Sequence, residues 1–165
     1  QAQVAEEARA CGGEFSLDKL PLTRRVVQEV LRLYPPAPLV VRGASKATEF
    51  AGFRLKKGQP VLVSIYAMHR HRKHWDAPDS FDPDRFLPDV NAARNRFVYL
   101  PFGLGPRACI GEHFAIIEMH AHVAYLARRF ALTLVPGQTV EIEPQINLRT
   151  KQPLLMHVHS RPGSR

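Results

Sequence analysis

Apolar residues recur at helical spacing over residues 21–34, where Leu22, Val26, Val27, Val30, Leu31 and Leu33 are set among Arg24, Arg25, Gln28, Glu29 and Arg32. That period predicts an amphipathic helix. Pro35 and Pro36 end it, because neither can donate a backbone bond. Over 39–47 and 61–67 the pattern changes to β-branched, alternating positions with Gly52 and Gly58 between them, which predicts two strands of a small sheet. From 75 to 101, Pro78, Pro83, Pro88 and Pro101 break every period, so a long structured meander is expected there. Such a connection in a compact domain usually serves function. A second helix is expected over 112–130, with Phe114, Ile117, Ala121, Ala124 and Leu126 as its apolar face. Beyond Pro136 and Gly137, alternating stretches over 140–148 and 154–159 suggest a closing hairpin. The fold class is therefore mainly α with small antiparallel β-sheets (α+β), in one domain over residues 1–165 and without internal repeats.

Composition narrows the function classes. Hydrophobic residues make up 45% and charged residues 23% of the 165, which suits a globular domain with a core of its own. No apolar run approaches the roughly 18 residues of a membrane span, and residues 1–10 lack the pattern of a signal peptide. The formal charge of +8 admits a nucleic-acid surface, an acidic protein partner or a solvated basic face. With aromatic residues at 8% and no basic-aromatic interleaving, nucleic acid is set aside. Two cysteines, Cys11 and Cys109, are too few for a disulfide framework. A reduced, cytoplasmic setting is expected, with Cys109 free for chemistry.

Residues 102–111 read FGLGPRACIG and place Cys109 just before the second helix, among Gly103, Gly105, Gly111 and Arg107. Helix-start amides and a nearby cation both favour thiolate over thiol. The glycines permit positive φ or close approach to a flat object. Such a thiolate suits a nucleophile, a redox switch or a metal ligand. A nucleophile would want a histidine base, and His113 lies inside the helix that follows. A buried cysteine acting as a small hydrophobe is the plain alternative.

Phe102, Gly105, Arg107, Cys109 and Gly111 match every fixed position of the haem-binding signature F-x-x-G-x-R-x-C-x-G. Glu29 and Arg32 resemble an E-x-x-R helix, and Pro83, Arg85 and Phe86 resemble a P-x-R-F meander. In this order the three motifs resemble the C-terminal, haem-binding part of the cytochrome P450 family, over about residues 20–160. The resemblance implies haem b (iron protoporphyrin IX) with Cys109 as axial ligand to the iron, amides after Cys109 donating to its sulfur, and Phe102 shielding it. Gly103, Gly105 and Gly111 would shape the loop, Arg107 and Arg42 would pair with propionates, and His69 would approach the haem. Glu29, Arg32 and Arg85 would form a scaffolding triad. Leu39, Val40, Val41, Ile146 and Asn147 would line the pocket of a small lipophilic substrate.

The resemblance further implies a monooxygenase that inserts one atom of dioxygen into an organic substrate. Its electrons would come from a separate ferredoxin or flavoprotein reductase, docked on a basic surface around the Cys109 loop that includes Arg107, Arg128 and Arg129. Family members are longer, and their oxygen-activating helix, with an acid beside a threonine, has no counterpart in residues 1–19. With Gln1 in place of methionine, upstream sequence is expected. Alternatives are a non-catalytic fragment with weak or no haem binding, and a haem-thiolate isomerase or peroxygenase that bypasses oxygen activation. His69, His71 and His74 also have the H-x-H-x-x-H spacing of zinc hydrolases, but Arg70, Arg72 and Lys73 surround them and a lysine stands in place of that motif's aspartate. The pairs His120/His122 and His157/His159 read as solvated or partly buried histidines.

Overall fold

The computed structural model describes residues 1–12 and 15–162. Helix α1 (Ala2–Ala10) turns Val4, Ala5 and Ala8 inward. Helix α2 (Pro21–Leu33) begins with proline at its first turn, where the missing N–H loses nothing. Its N-terminus is capped from outside: the Glu7 carboxylate of α1 accepts from Leu22 N (2.6 Å), Thr23 N (2.8 Å) and the Thr23 hydroxyl (2.6 Å). A carboxylate there satisfies orphan amides and complements the helix dipole. Glu7→Ala is accordingly expected to destabilise the protein by about 1–2 kcal/mol in urea unfolding.

Strands β1 (Leu39–Gly43) and β4 (Pro60–Ser64) pair antiparallel, from Leu39 opposite Ser64 to Gly43 opposite Pro60. A smaller hairpin, β2 (Thr48–Phe50) with β3 (Phe53–Leu55), is inserted between them. The run expected as one strand over 61–67 stops at Ser64, whose hydroxyl accepts from Ala67 N and caps α3 (Ile65–Met68). The meander holds 3-10 turns at Pro83–Phe86 and Arg96–Val98 with a short α4 (Pro88–Ala92) between. Around it Trp75, Phe86 and Val98 form a small core.

Helix α5 (Glu112–Arg129) lies against α1 and α2. Its inward face carries Ala124, as expected, together with His120, whereas Phe114, Ile117 and Leu126 of the expected stripe are exposed. The C-terminal strands also pair differently. Instead of one closing hairpin, β6 (Ile142–Pro144) pairs with β7 (Leu148–Thr150), and β8 (Met156–Ser160) returns to β5 (Phe130–Leu134). Local bonds explain it. Glu143 meets Arg149 and Glu141 meets Lys151, closing 141–151 on itself. Gln138 joins Val135 to Leu155, and Arg161 donates to Phe130 O, fastening β8 to β5.

Candidate functional site

Helix α2 presents Glu29 and Arg32 on one face, three residues apart, and both are fully buried. Arg32 places each of its five N–H donors. Nε and Nη2 meet the Glu29 oxygens at 2.7 and 2.8 Å, Nη1 reaches the carbonyls of His69 (2.8 Å) and Pro78 (2.7 Å), and Nη2 also reaches Ser80 O (3.1 Å). Glu29 in turn accepts from Asp82 N (2.8 Å) and lies 3.5 Å from Arg85 Nε. The structure thus brings Glu29, Arg32 and Arg85 together, and the cluster bolts the start of the meander onto α2. Arg94 completes it from the far side and carried no sequence signal. It stacks 4.3 Å from the Trp75 ring and donates to Arg85 O (2.5 Å), and desolvation on burial lowers its pKa.

His69 belongs to this scaffold rather than to the haem contact expected of it. Leu100 N donates to Nε2 (2.9 Å), so Nδ1 carries the proton and donates to Arg32 O (3.2 Å). With both nitrogens committed to backbone, neither is left for a haem or a metal. Among the described residues no group of three His, Cys, Asp or Glu is placed to hold a metal ion, which removes the zinc reading. Desolvation holds the His69 pKa down at about 4, against an ordinary 6.5. The unfolded chain therefore binds a proton that the folded one refuses between those values. The stabilisation tied to neutral His69 is complete above pH 6.5 and is lost as pH falls toward 4. Unfolding free energies are expected to fall by up to about 3 kcal/mol across that window, and His69→Phe, less stable throughout, should lack this part of the slope.

The amide of Leu100 that His69 accepts opens the cysteine loop. Gly103 (φ 77) and Gly105 (φ 75) adopt the left-handed region that a side chain disfavours. A single 3-10 turn, Gly105–Arg107, then leads to Cys109, whose amide donates to Phe102 O (2.9 Å). Gly111 sits at φ −87 at the start of α5, and a methyl there would lie 3.9 Å from Cys109 Sγ, so its value is space beside sulfur rather than backbone freedom. Cys109 is exposed with a free thiol. Phe102 is half-buried. Beside Cys109, Ile110 is fully exposed and Phe114 is 72% exposed, with Ile117 next along the same stripe of α5. Sequence reading assigned Phe114 and Ile117 to the core and passed over Ile110.

The other expected residues are placed as follows. Arg107 is exposed, and Arg42 is exposed with Nη1 donating to the neighbouring Val41 O. Leu39 and Val41 share one exposed face of β1, whereas Val40 points to the other with Arg42, so the three cannot line one pocket together. Ile146 (94% exposed) and Asn147 form the turn between β6 and β7, and Leu148 N ties that turn to Pro36 O just before β1 (2.9 Å). Arg107 precedes α5, while Arg128 and Arg129 end it. Eighteen helical residues separate the ends by about 27 Å, so they are not one patch around the loop.

The family model described as Cytochrome P450 matches residues 1–158. The chain belongs to the cytochrome P450 family. The match takes in α1, beyond the start near residue 20 expected from the motifs. The chain is 43% identical over 138 residues to cyclooctatin synthase of Streptomyces melanosporofaciens, covering 84% of this chain and 30% of that protein. It is 38% identical over 165 residues to Cytochrome P450 4A10 of Rattus norvegicus, covering 96% of this chain and 32% of that one. Its fold superimposes on a retinoic acid-bound cyanobacterial CYP120A1 with a TM-score of 0.86 at 35% identity, over 96% of this chain and 39% of that one. A cytochrome P450DA heme domain gives 0.85 at 27% identity. The chain thus spans about a third of the length of the curated relatives it matches.

Cytochrome P450 proteins bind haem b through a cysteine thiolate. The donor set here fits that group. A soft sulfur ligand stands at a helix start, an uncovered apolar stripe (Ile110, Phe114, Ile117) adjoins it, and exposed guanidinium groups are available for carboxylates.

Proposed function

We propose that this chain is the thiolate-bearing part of a haem monooxygenase that inserts one atom of dioxygen into a small lipophilic substrate and reduces the other to water. The observation that carries the reading is the exposed Cys109 thiol at the start of α5, beside apolar side chains left open to solvent. Haem b, when bound, supplies the iron at which dioxygen is activated, with thiolate ligation favouring O–O cleavage.

The remaining roles fall to the chain's own groups. Cys109 would hold the haem iron through its sulfur, and Ile110 and Phe114 beside it would exclude water there. Gly111 leaves the sulfur unobstructed. Arg107 and Arg42 would hold the haem's carboxylates as charge-assisted contacts. Glu29, Arg32 and Arg85 keep the meander, and through His69 and Leu100 the cysteine loop, in a fixed position. Leu39 and Val41, joined through Pro36 to the Ile146–Asn147 turn, offer an apolar wall to a lipophilic substrate. Electrons come from a ferredoxin or flavoprotein reductase whose acidic surface is drawn by the excess of basic residues.

The test is isotopic. The holoprotein from the complete reading frame, with a ferredoxin–reductase pair, is supplied with fatty acids and terpenes under labelled dioxygen. One labelled atom in the product is expected. Label arriving only from labelled hydrogen peroxide, or a rearranged product without label, would replace the monooxygenase reading with one of the haem-thiolate alternatives.

A further inference from the structure

We infer that a cavity behind the cysteine loop is a second small-molecule site, built to take a neutral lipophilic alcohol. The cavity measures about 580 Å³ and lies between α2, the end of the meander, the loop that carries Cys109, and α5. Ligand pockets commonly span about 300–1,000 Å³. Val27 and Leu31 of α2 form its buried wall, and the half-buried Leu100, Phe102 and Ile116 complete an apolar lining. One polar atom stands out in that setting. His120 lines the cavity and is 2% exposed, and its Nε2 has no hydrogen-bond partner among the described residues. A buried ring nitrogen without a partner lowers stability, and native folds retain few such groups.

The chemistry of that nitrogen selects the occupant. His120 Nδ1 donates to Ile116 O one turn back (2.6 Å), so the neutral ring presents Nε2 as an acceptor. The group it lacks is therefore a donor, such as a hydroxyl, and not an ether, a carbonyl or a carboxylate. Charge does not favour an ion. The charged side chains of the lining are Asp18, Glu112, Arg24 and Arg96, two of each sign, and all four are exposed. A metal ion is set aside as well, since among the described residues no three ligating side chains converge. A lone water fits less well than an alcohol. Water at a buried site needs about two to four polar partners, whereas an alcohol gives its one proton to Nε2 and sets its carbon skeleton against Val27 and Leu31. Lipophilic alcohols are also what hydroxylation of a lipophilic substrate yields. The site would thus let product act on the loop that presents the thiolate, and this last link alone rests on the monooxygenase reading.

The experiment uses the haem-loaded protein from the complete reading frame, with the iron occupied by a bulky N-substituted azole that has no donor of its own. The azole's spectral shift reports haem loading, so a failure of the haem-thiolate reading shows separately. Menthol and its methyl ether are titrated into this complex by calorimetry. Expected are saturable binding of menthol, binding of the ether weaker by about tenfold or more, and loss of that preference in His120→Leu. Ile116→Phe, which fills the cavity, should weaken both. In isotope-labelled protein, the Nε2 resonance that His120→Leu removes should shift with menthol and stay in place with the ether. His120→Leu should fold at least as stably as the unmodified protein, because replacing an unpaired buried polar group by an apolar one costs little. No binding, equal affinity for the two probes, a preference that survives His120→Leu, or binding untouched by Ile116→Phe overturns the inference. So does marked destabilisation by His120→Leu, which would mean that a water or another protein group already satisfies Nε2.

Discussion

Arg32→Ala is expected to abolish recovery of folded, haem-containing protein. The substitution leaves the Glu29 carboxylate fully buried without its main partner, and breaking a buried ion pair from one side typically costs about 3–5 kcal/mol. It also removes the donors to His69 O, Pro78 O and Ser80 O. The combined loss rivals the whole stability of an ordinary domain, about 5–15 kcal/mol. Arg32→Lys should not rescue it, because a lysine cannot place five donors in a planar fork. Glu29→Ala fails in the same direction, with an unpaired guanidinium left inside. Haem content and urea unfolding check both variants. Folded holoprotein at the unmodified yield, with turnover lost, would show that these residues act in the chemistry and not in holding the meander.

Cys109→Ser is the second large effect. Serine keeps the size and the loop geometry but supplies a hard hydroxyl where a soft, anionic sulfur stood. The thiolate signature of bound haem should disappear altogether. The apolar stripe and the arginines remain, so some haem is retained with a different axial ligand. Cys109→His should hold haem better than serine and give an imidazole-type spectrum, since imidazole also ligates haem iron. Far-ultraviolet circular dichroism should be unchanged in both, because the thiol is exposed and packs against little. A thiolate spectrum surviving in Cys109→Ser would point to Cys11 and refute the assignment.

The parts legible in sequence were those fixed by local chemistry. Helix α2 ended within one residue of expectation because Pro35 and Pro36 leave no choice, and the turn into the second helix was marked by the glycines before Cys109. The ordered meander followed from its prolines. Strand partners were not legible: alternation identifies a strand, but the same alternation at 140–148 and 154–159 suits either pairing. The choice fell to Gln138, Arg161 and the Glu141 and Glu143 ion pairs, which are visible only once the chain is folded. An apolar stripe likewise reads the same whether it meets a core or a cofactor, which is why Phe114 and Ile117 were placed inward. His69 was expected to approach the haem only because the family resemblance implies it. Its burial and its bonds to Arg32 and Leu100, set by the packing of α2 against the meander, gave it a structural part.

The most direct test of the account is the carbon monoxide difference spectrum of this chain, reconstituted with haem and reduced. A strongly red-shifted, thiolate-type Soret band is predicted, appearing with one haem per chain. A band at the ordinary imidazole or unligated position, with Cys109 still open to alkylation, would contradict Cys109 as the iron's ligand in this chain.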